Sequence, residues 1–291
     1  MARLTQGRAS RTARMTAAMR HRHYLGGAKP LVFDDPHAEL FLDWQSRLFA
    51  LPTPLSDALL GGTLGAVRAL EGEVLARSRY VEDVFEERFA AGVRQVIVLG
   101  AGFDTMAIKH RGRGCTFFEV DHPATQAEKA RLLAKHADLG RDIKFVPVDF
   151  TRDDMVTELD KAGLDARLPS FVSWLGVAMY LESTVVIATL TALATRLAPG
   201  SELIFDAYPR MADIPLTERP LFLAARAFTA REGEPMTDWF APALIEDYLT
   251  GTGFAQVEML RGEEVAARWF TAQSKVVYPP KAAVLCRLVR V

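Results

Sequence analysis

The stretch QVIVLGAGFDT, Gln95–Thr105, decides how the rest of the chain reads. Val96 to Leu99 form a short, largely β-branched apolar run that enters Gly100-Ala101-Gly102 and then Asp104-Thr105. A run of this kind ending in a Gly-x-Gly turn predicts a buried parallel strand that carries a nucleotide-binding loop. Glycine permits the tight turn and lets backbone approach a ligand where a Cβ would block it. The third glycine of G-x-G-x-x-G is absent: Thr105 stands in its place, and Met106 follows. A helix N-terminus that holds a pyrophosphate usually keeps the full pattern, so the loop predicts a nucleoside-like ligand without a diphosphate.

Downstream, strand, loop and helix repeat. Candidate strands are Gln95–Leu99, Thr116–Val120, Ile143–Val148, Phe171–Leu175 and Glu202–Ala207, with helical stretches near Pro123–His136, Met155–Ala162 and Glu182–Leu197. This alternation predicts an α/β fold, a doubly wound, mostly parallel sheet covered by helices on both faces. Helix Pro242–Thr250 and strands near Ala255–Leu260 and Val284–Leu288 close the chain, for seven strands in all. Between them, Tyr208–Asp238 is rich in Pro, Arg and aromatics and is too long for a plain connection, which predicts a substrate lid.

Upstream, the first ninety residues read as a helical cap. Asp35-Pro36 is a helix start, with Asp as N-cap and Pro at the first position. Leu40, Phe41, Trp44, Leu48 and Leu51 follow at helical spacing until Pro52 and Pro54. A second helix covers Glu73–Ala91 with Val74, Val81, Val84 and Phe85 on one face. Residues 1–30 carry Arg3, Arg8, Arg11, Arg14, Arg20, Arg22 and Lys29 and no acid; a transit peptide has such a start, and a flexible basic arm over residues 1–11 is the plainer reading. The expected divisions are a cap over 12–92, a cofactor-binding core over 93–207, a lid over 208–240 and a closing segment over 241–291.

Composition narrows the function classes. The 35 basic and 36 acidic residues nearly cancel, which argues against a general nucleic-acid binder. No stretch is apolar enough to cross a membrane. Two distant cysteines, Cys115 and Cys286, exclude a disulfide scaffold and suggest a reduced, cytoplasmic compartment. His21, His23 and His37 lack the spacing and the companions of a metal site, so no metal is expected.

Three positions stand out. Asp121, 21 residues after Gly100, ends the second strand, where an acid can take both hydroxyls of a ribose; the competing role is N-cap of the helix opening at Pro123. Asp149 ends the third strand and can accept from an adenine amine with Phe150 on the ring, Asp153 and Asp154 being the competing helix caps. Arg77 falls on the stripe of Val74, Val81 and Val84 and needs an anionic partner, a ligand carboxylate or an internal Asp. Arg79 falls on the opposite face beside Glu82 and Asp83 and reads as a surface salt-bridge residue.

Together these residues resemble the leucine carboxyl methyltransferase family. The likeness rests on LGAG-x-DT at Leu99–Thr105, E-V-D-x-P at Glu119–Pro123, the Arg-x-Arg-Tyr helix at Arg77–Tyr80, Gly176–Leu181 with its Met-Tyr-Leu ending, APGS at Ala198–Ser201, Gly233–Pro235 and Gly253–Phe254. It implies a Rossmann-like methyltransferase that uses S-adenosyl-L-methionine. Gly100, Ala101 and Gly102 would approach the cofactor, Asp121 its ribose, Asp149 with Phe150 its adenine, and Arg77 the carboxylate of its methionine part. Arg20 matches the family's basic residue from the N-terminal helices. One departure concerns Leu175, preceded by Trp174: the family often has Glu there, so a carboxylate that helps hold the cofactor's amine is lost.

The expected reaction is O-methylation of a small-molecule carboxylate, with a hydroxyl as the second choice, by direct displacement in which the protein supplies alignment and water exclusion. A carboxylate is the simpler acceptor because it needs no base. Tyr180, Tyr208, Arg226 and Arg231, with Arg20 from the N-terminal helices, are the candidates for contacting or positioning the acceptor. The rival readings are a non-catalytic cofactor-binding protein, favoured by Leu175, and a nicotinamide-dependent dehydrogenase, disfavoured by the missing glycine.

Overall fold

A computed structural model describes residues 10–51, 64–150, 152–237, 240–270 and 277–291. Its centre is a seven-stranded sheet in the order β3-β2-β1-β4-β5-β7-β6. The strands are β1 Gln95–Leu99, β2 Thr116–Asp121, β3 Ile143–Pro147, β4 Ser170–Trp174, β5 Glu202–Ala207, β6 Phe254–Arg261 and β7 Val284–Arg290. The first five pair in parallel, and β7 runs antiparallel between β5 and β6. The doubly wound, mostly parallel architecture expected from the strand-helix alternation is therefore the one observed.

Period-two alternation explains why the strands read as continuous apolar runs. In β1, Val96 and Val98 join one core layer with Phe117, Phe171 and Ile204, while Ile97 and Leu99 join the other with Phe118, Val172 and Trp174. Helices cover both faces: α1 Arg11–Gly26, α2 Trp44–Ala50, α3 Leu64–Ala90, α4 Met106–Lys109, α5 Pro123–Leu133, α6 Met155–Lys161, α7 Ser183–Arg196, α8 Arg219–Arg231, α9 Ile245–Leu249 and α10 Gly262–Trp269. Helix α4 is one turn long, and Thr105, where the dinucleotide pattern would place glycine, precedes it with Met106 buried in the core.

Two expectations for the cap are corrected. The segment from Asp35 to Leu51 is not one helix: a 3₁₀ turn over Ala38–Phe41 precedes α2, which Asp43 caps by accepting from the Ser46 N–H at 2.9 Å. Trp44, Leu48 and Leu51, expected on a buried stripe, are exposed. The break comes from that second cap at Asp43, which starts α2 afresh, while Asp35 opens the 3₁₀ turn and ties it to distant groups. Its Oδ2 accepts from Arg20 Nε at 2.7 Å and Thr105 Oγ1 at 2.8 Å, and its Oδ1 from the backbone N–H groups of His37 and Ala38. The expected terminators Pro52 and Pro54 lie outside the described residues, as do residues 1–9 of the basic arm. Arg11, assigned to that arm, opens α1. Helix α3 is longer than predicted, and Val74, Val81, Val84 and Phe85 are buried on its inner face.

Helix α1 lies across the glycine loop. A Cβ on Gly102 would stand 2.8 Å from Ala13 Cβ, and Ala17 and Ala18 are fully buried behind it. Asp35 holds this approach, since Arg20 also donates to the Phe103 carbonyl at 2.7 Å. Removing one partner of a buried pair leaves the other charge uncompensated, typically at a cost of about 3–5 kcal/mol. Asp35→Ala is accordingly expected to lower unfolding free energy by about that much in urea titration, whereas breaking the exposed Arg47–Glu39 pair should cost less than about 1 kcal/mol.

Candidate functional site

At the carboxyl ends of β1 to β5 lies a cavity of about 1190 Å³, roofed by α1 and flanked by α3 and by the segment following α8. Parallel strands deliver their loops to this edge, which is where ligands sit in such sheets.

The loop after β1 forms its floor. Gly100 and Gly102 adopt φ values of 63° and 46°, and the Gly100 and Ala101 N–H groups donate to the Val120 carbonyl at 2.8 and 3.1 Å. A Cβ on Gly100 would meet Val177 Cγ2 at 2.2 Å, so this glycine serves the packing of two loops as well as any ligand. The Gly102 N–H donates to Asp121 Oδ2, and Asp121 Oδ1 accepts from the His122 N–H at 2.5 Å. Asp121 lines the cavity and does not cap α5, a role taken by His122, which accepts from the Ala124 N–H at 3.2 Å. Burial pushes the Asp121 carboxyl up from its usual range against those two backbone bonds.

Asp149 and Phe150 line the next part of the wall. The helix cap that competed for Asp149 is Asp154, which accepts from the Val156 N–H at 3.1 Å and Thr157 Oγ1 at 2.6 Å. Leu175 also lines the cavity and packs on the core layer behind it, and Trp174 beside it is fully buried.

At the other end, α3 turns Arg77 into the cavity wall, as its spacing predicts, and the anionic partners are internal. Nη1 donates to Asp206 Oδ2 at 2.8 Å and Glu73 Oε1 at 3.0 Å. Nη2 faces Gly176, where a Cβ would come within 2.8 Å. Asp206 Oδ1 accepts from the Gly176 N–H at 2.6 Å, and Glu73 Oε2 accepts from the Tyr208 hydroxyl at 2.9 Å. Arg79 pairs with Asp83 on the half-exposed side, while Glu82 turns to Lys109 and His110.

Glu73 and Asp206 were not singled out from the sequence. Both had a signal: Glu73 lies four residues before Arg77 on the same helix face, and Asp206 is an acid near the carboxyl end of a strand, like Asp121. Burial beside Asp206 pushes the Glu73 carboxyl up to about 7, against the pull of Arg77.

Other candidates divide. Tyr180 and Tyr208 line the cavity; so does Arg20, with its guanidinium committed to Asp35 and Phe103. Arg226 and Arg231 do not line it: both sit on α8, Arg226 donating toward the Met236 carbonyl and Arg231 exposed in the last turn. His23 is held neutral by burial, its pKa lowered to about 4, and its Nε2 accepts from the Val32 N–H at 3.1 Å. No group of metal-ligating side chains occurs among the described residues.

A second buried carboxylate stands behind the loop. Glu119 lies 2.7 Å from Lys129 Nζ, without the angular geometry of a hydrogen bond, and Lys129 donates to the Asp104 carbonyl instead. Burial pushes Glu119 up to about 7. A carboxyl raised by folding stabilises below its unfolded pKa, and that contribution disappears as pH rises through the folded value. The stability difference between Glu119→Gln and the native chain is therefore expected to shift in the variant's favour between pH 5 and 8, by on the order of 2 kcal/mol, in urea titrations across that range.

Comparison with known proteins follows this geometry. The model of the family "Leucine carboxyl methyltransferase" matches residues 13–194. The Bacillus subtilis protein "Putative S-adenosyl-L-methionine-dependent methyltransferase YktD" is 28% identical over 250 residues, 82% of this chain and 72% of its own length. A Mycolicibacterium paratuberculosis protein named in the same terms is 33% identical over 226 residues, 74% of this chain and 70% of its own. Among solved structures, a "putative methyltransferase" from Thermobifida fusca YX superposes with a TM-score of 0.59 at 20% identity, over 99% of this chain and 96% of that one. The chain belongs to the leucine carboxyl methyltransferase family.

Proposed function

We propose that this chain moves the methyl group of S-adenosyl-L-methionine to an oxygen, carboxylate or hydroxyl, of a small molecule. The methyl donor is the one its relatives are named for. The observation that carries the reading is the order of groups along one cavity: Asp149 and Phe150, then Asp121 beside the glycine loop, then Arg77. That order matches adenine, ribose and methionine carboxylate in turn.

The residues fit such a ligand. Each Asp121 oxygen makes one backbone bond and keeps lone-pair capacity for a ribose diol. Arg77 Nη2 faces Gly176, where the absence of a side chain leaves the guanidinium edge open. Asp206 and Glu73 add negative charge around Arg77, which suits an ammonium group and compensates for Leu175 in place of the family's glutamate. When bound, the sulfonium supplies an activated methyl carbon that needs no metal. The chain aligns the acceptor with it and keeps water out under α1.

The cavity also exceeds what one nucleoside needs. Drug-sized ligands occupy pockets of roughly 300–1,000 Å³, so about 1190 Å³ leaves room for an acceptor beside the donor.

Calorimetry with S-adenosylhomocysteine and NAD tests the reading: the first should bind and the second should not, and the reverse result would sink it. Asp121→Ala is expected to weaken S-adenosylhomocysteine binding about tenfold or more, as loss of a charged hydrogen-bonding partner does. Transfer of labelled methyl from S-adenosylmethionine to a panel of acids and alcohols then identifies oxygen as the acceptor atom, and label found only on nitrogen or carbon would exclude it.

A further inference from the structure

We infer that the acceptor is an apolar molecule presenting a neutral hydroxyl, whose proton leaves through Tyr208 to Glu73. This rests on the methyl-transfer reading above and adds to it the substrate class and the route of the proton.

The first observation is a paired arrangement in the cavity wall. Tyr208 and Glu73 both line it, and the Tyr208 hydroxyl donates to Glu73 Oε2 at 2.9 Å. The other Glu73 oxygen is held by Arg77 at 3.0 Å, so the carboxylate cannot swing away. Tyr208 is fixed in turn by the edge of Phe222, ring centroids 5.0 Å apart. A phenol that donates one way keeps lone pairs with which to accept from another hydroxyl. Burial pushes the Tyr208 phenol well above its usual value, which disfavours a tyrosinate and suits a relay in which it gains one proton as it loses another. Glu73, held near 7, is matched to receive it at neutral pH.

The second observation concerns charge. Among the described residues, each arginine of the cavity wall is already committed or lies at the adenine end. Arg20 is bonded to Asp35, Arg77 gives Nη1 to Glu73 and Asp206 and its open edge to the cofactor's carboxylate, and Arg152 stands beside Asp149. The remaining wall includes Met15, Met19, Met179, Phe228 and Met236, with Glu234 at its edge. Methionine and aromatic side chains form an adaptable apolar surface. A carboxylate there would lose its hydration and meet acids, with no uncommitted cation to receive it. A hydroxyl on an apolar skeleton fits both the wall and the relay.

The step balances without a further reactant. The acceptor oxygen bonds to the methyl carbon as the carbon–sulfur bond breaks. The acceptor proton passes to Tyr208 Oη, and the Tyr208 proton passes to Glu73. The products are a methyl ether, S-adenosylhomocysteine and a protonated Glu73, which returns its proton to solvent after release.

The probes are 2-naphthol and 2-naphthoate, which share one ring system. Calorimetry on the protein saturated with S-adenosylhomocysteine should show 2-naphthol binding at least tenfold more tightly than 2-naphthoate. Tyr208→Phe, which keeps the ring and its packing, should weaken 2-naphthol severalfold and leave 2-naphthoate unaffected. With saturating S-adenosylmethionine, 2-naphthol should give a base-stable methyl ether, with kcat rising to a plateau above about pH 7. Glu73→Gln should lower that kcat about 10² to 10⁴-fold and abolish the rise with pH, the range expected for losing a general base. Tighter or equal binding of 2-naphthoate, its conversion to a base-labile ester in preference to the ether, or an unchanged pH profile in Glu73→Gln overturns the inference. So does a failure of 2-naphthol to bind. Loss of S-adenosylhomocysteine binding by the native chain is a different failure and strikes the methyl-transfer reading itself.

Discussion

A single carboxylate without solvent access, Asp35, ties the roof of the cavity to its floor. It joins Arg20 from α1 to Thr105 from the end of the glycine loop, and through Arg20 it reaches the Phe103 carbonyl. Everything at the carboxyl edge of the sheet depends on that placement. The loop can turn as it does because Gly102 lies against Ala13 and lends its N–H to Asp121. Were α1 displaced, the glycine loop would face solvent and the cavity would lose one wall. The other Asp35 oxygen accepts from the His37 and Ala38 N–H groups at the start of the 3₁₀ turn, so one carboxylate shapes the cap and ties it to the loop.

The core of the sheet was legible because its signal is local. Buried parallel strands need apolar side chains on both faces, and that leaves a continuous run such as Val96–Leu99. The inward direction of Arg77 was legible for the same reason, since 3.6 residues per turn places it with Val74 and Val81. Asp121 could be chosen over Glu119 by its nearness to the strand end, and the structure puts Asp121 in the cavity and Glu119 against Lys129. What local pattern could not supply were pairings across the chain. Glu73 meets Tyr208 from 135 positions away, and Arg77 meets Asp206 from 129. A glutamate on a helix ordinarily faces solvent, and only its long-range partners make it part of a site. The misread cap has a local cause, the second N-cap at Asp43 that starts α2 afresh, whereas the arginines of α8 escaped local pattern because the face a helix turns to a cavity depends on how it docks.

The site is built from carboxylates in excess of cations, and their burial gives each a different task. Asp121 organises backbone while keeping capacity for a ligand. Asp206 fixes both Gly176 and Arg77. Glu73 shares Arg77 with Asp206, and its burial beside that second acid pushes its carboxyl up to about 7 against the pull of Arg77 and the Tyr208 hydroxyl. Three acids of the same edge thus come to differ in role through their surroundings alone.

The middle and the start of α1 are secured unequally. Its middle is anchored by the buried Arg20–Asp35 pair, whereas its first residues reach the segment after α8 through Ser10 Oγ on Glu234, at 3.0 Å, and Arg11 on Glu232, at 3.1 Å, with Arg11 71% exposed. An exposed pair such as Arg11–Glu232 contributes at most about 1 kcal/mol. Disturbing the first turn of α1 therefore costs less than disturbing it at Arg20, so the helix owes its place over the glycine loop to its middle.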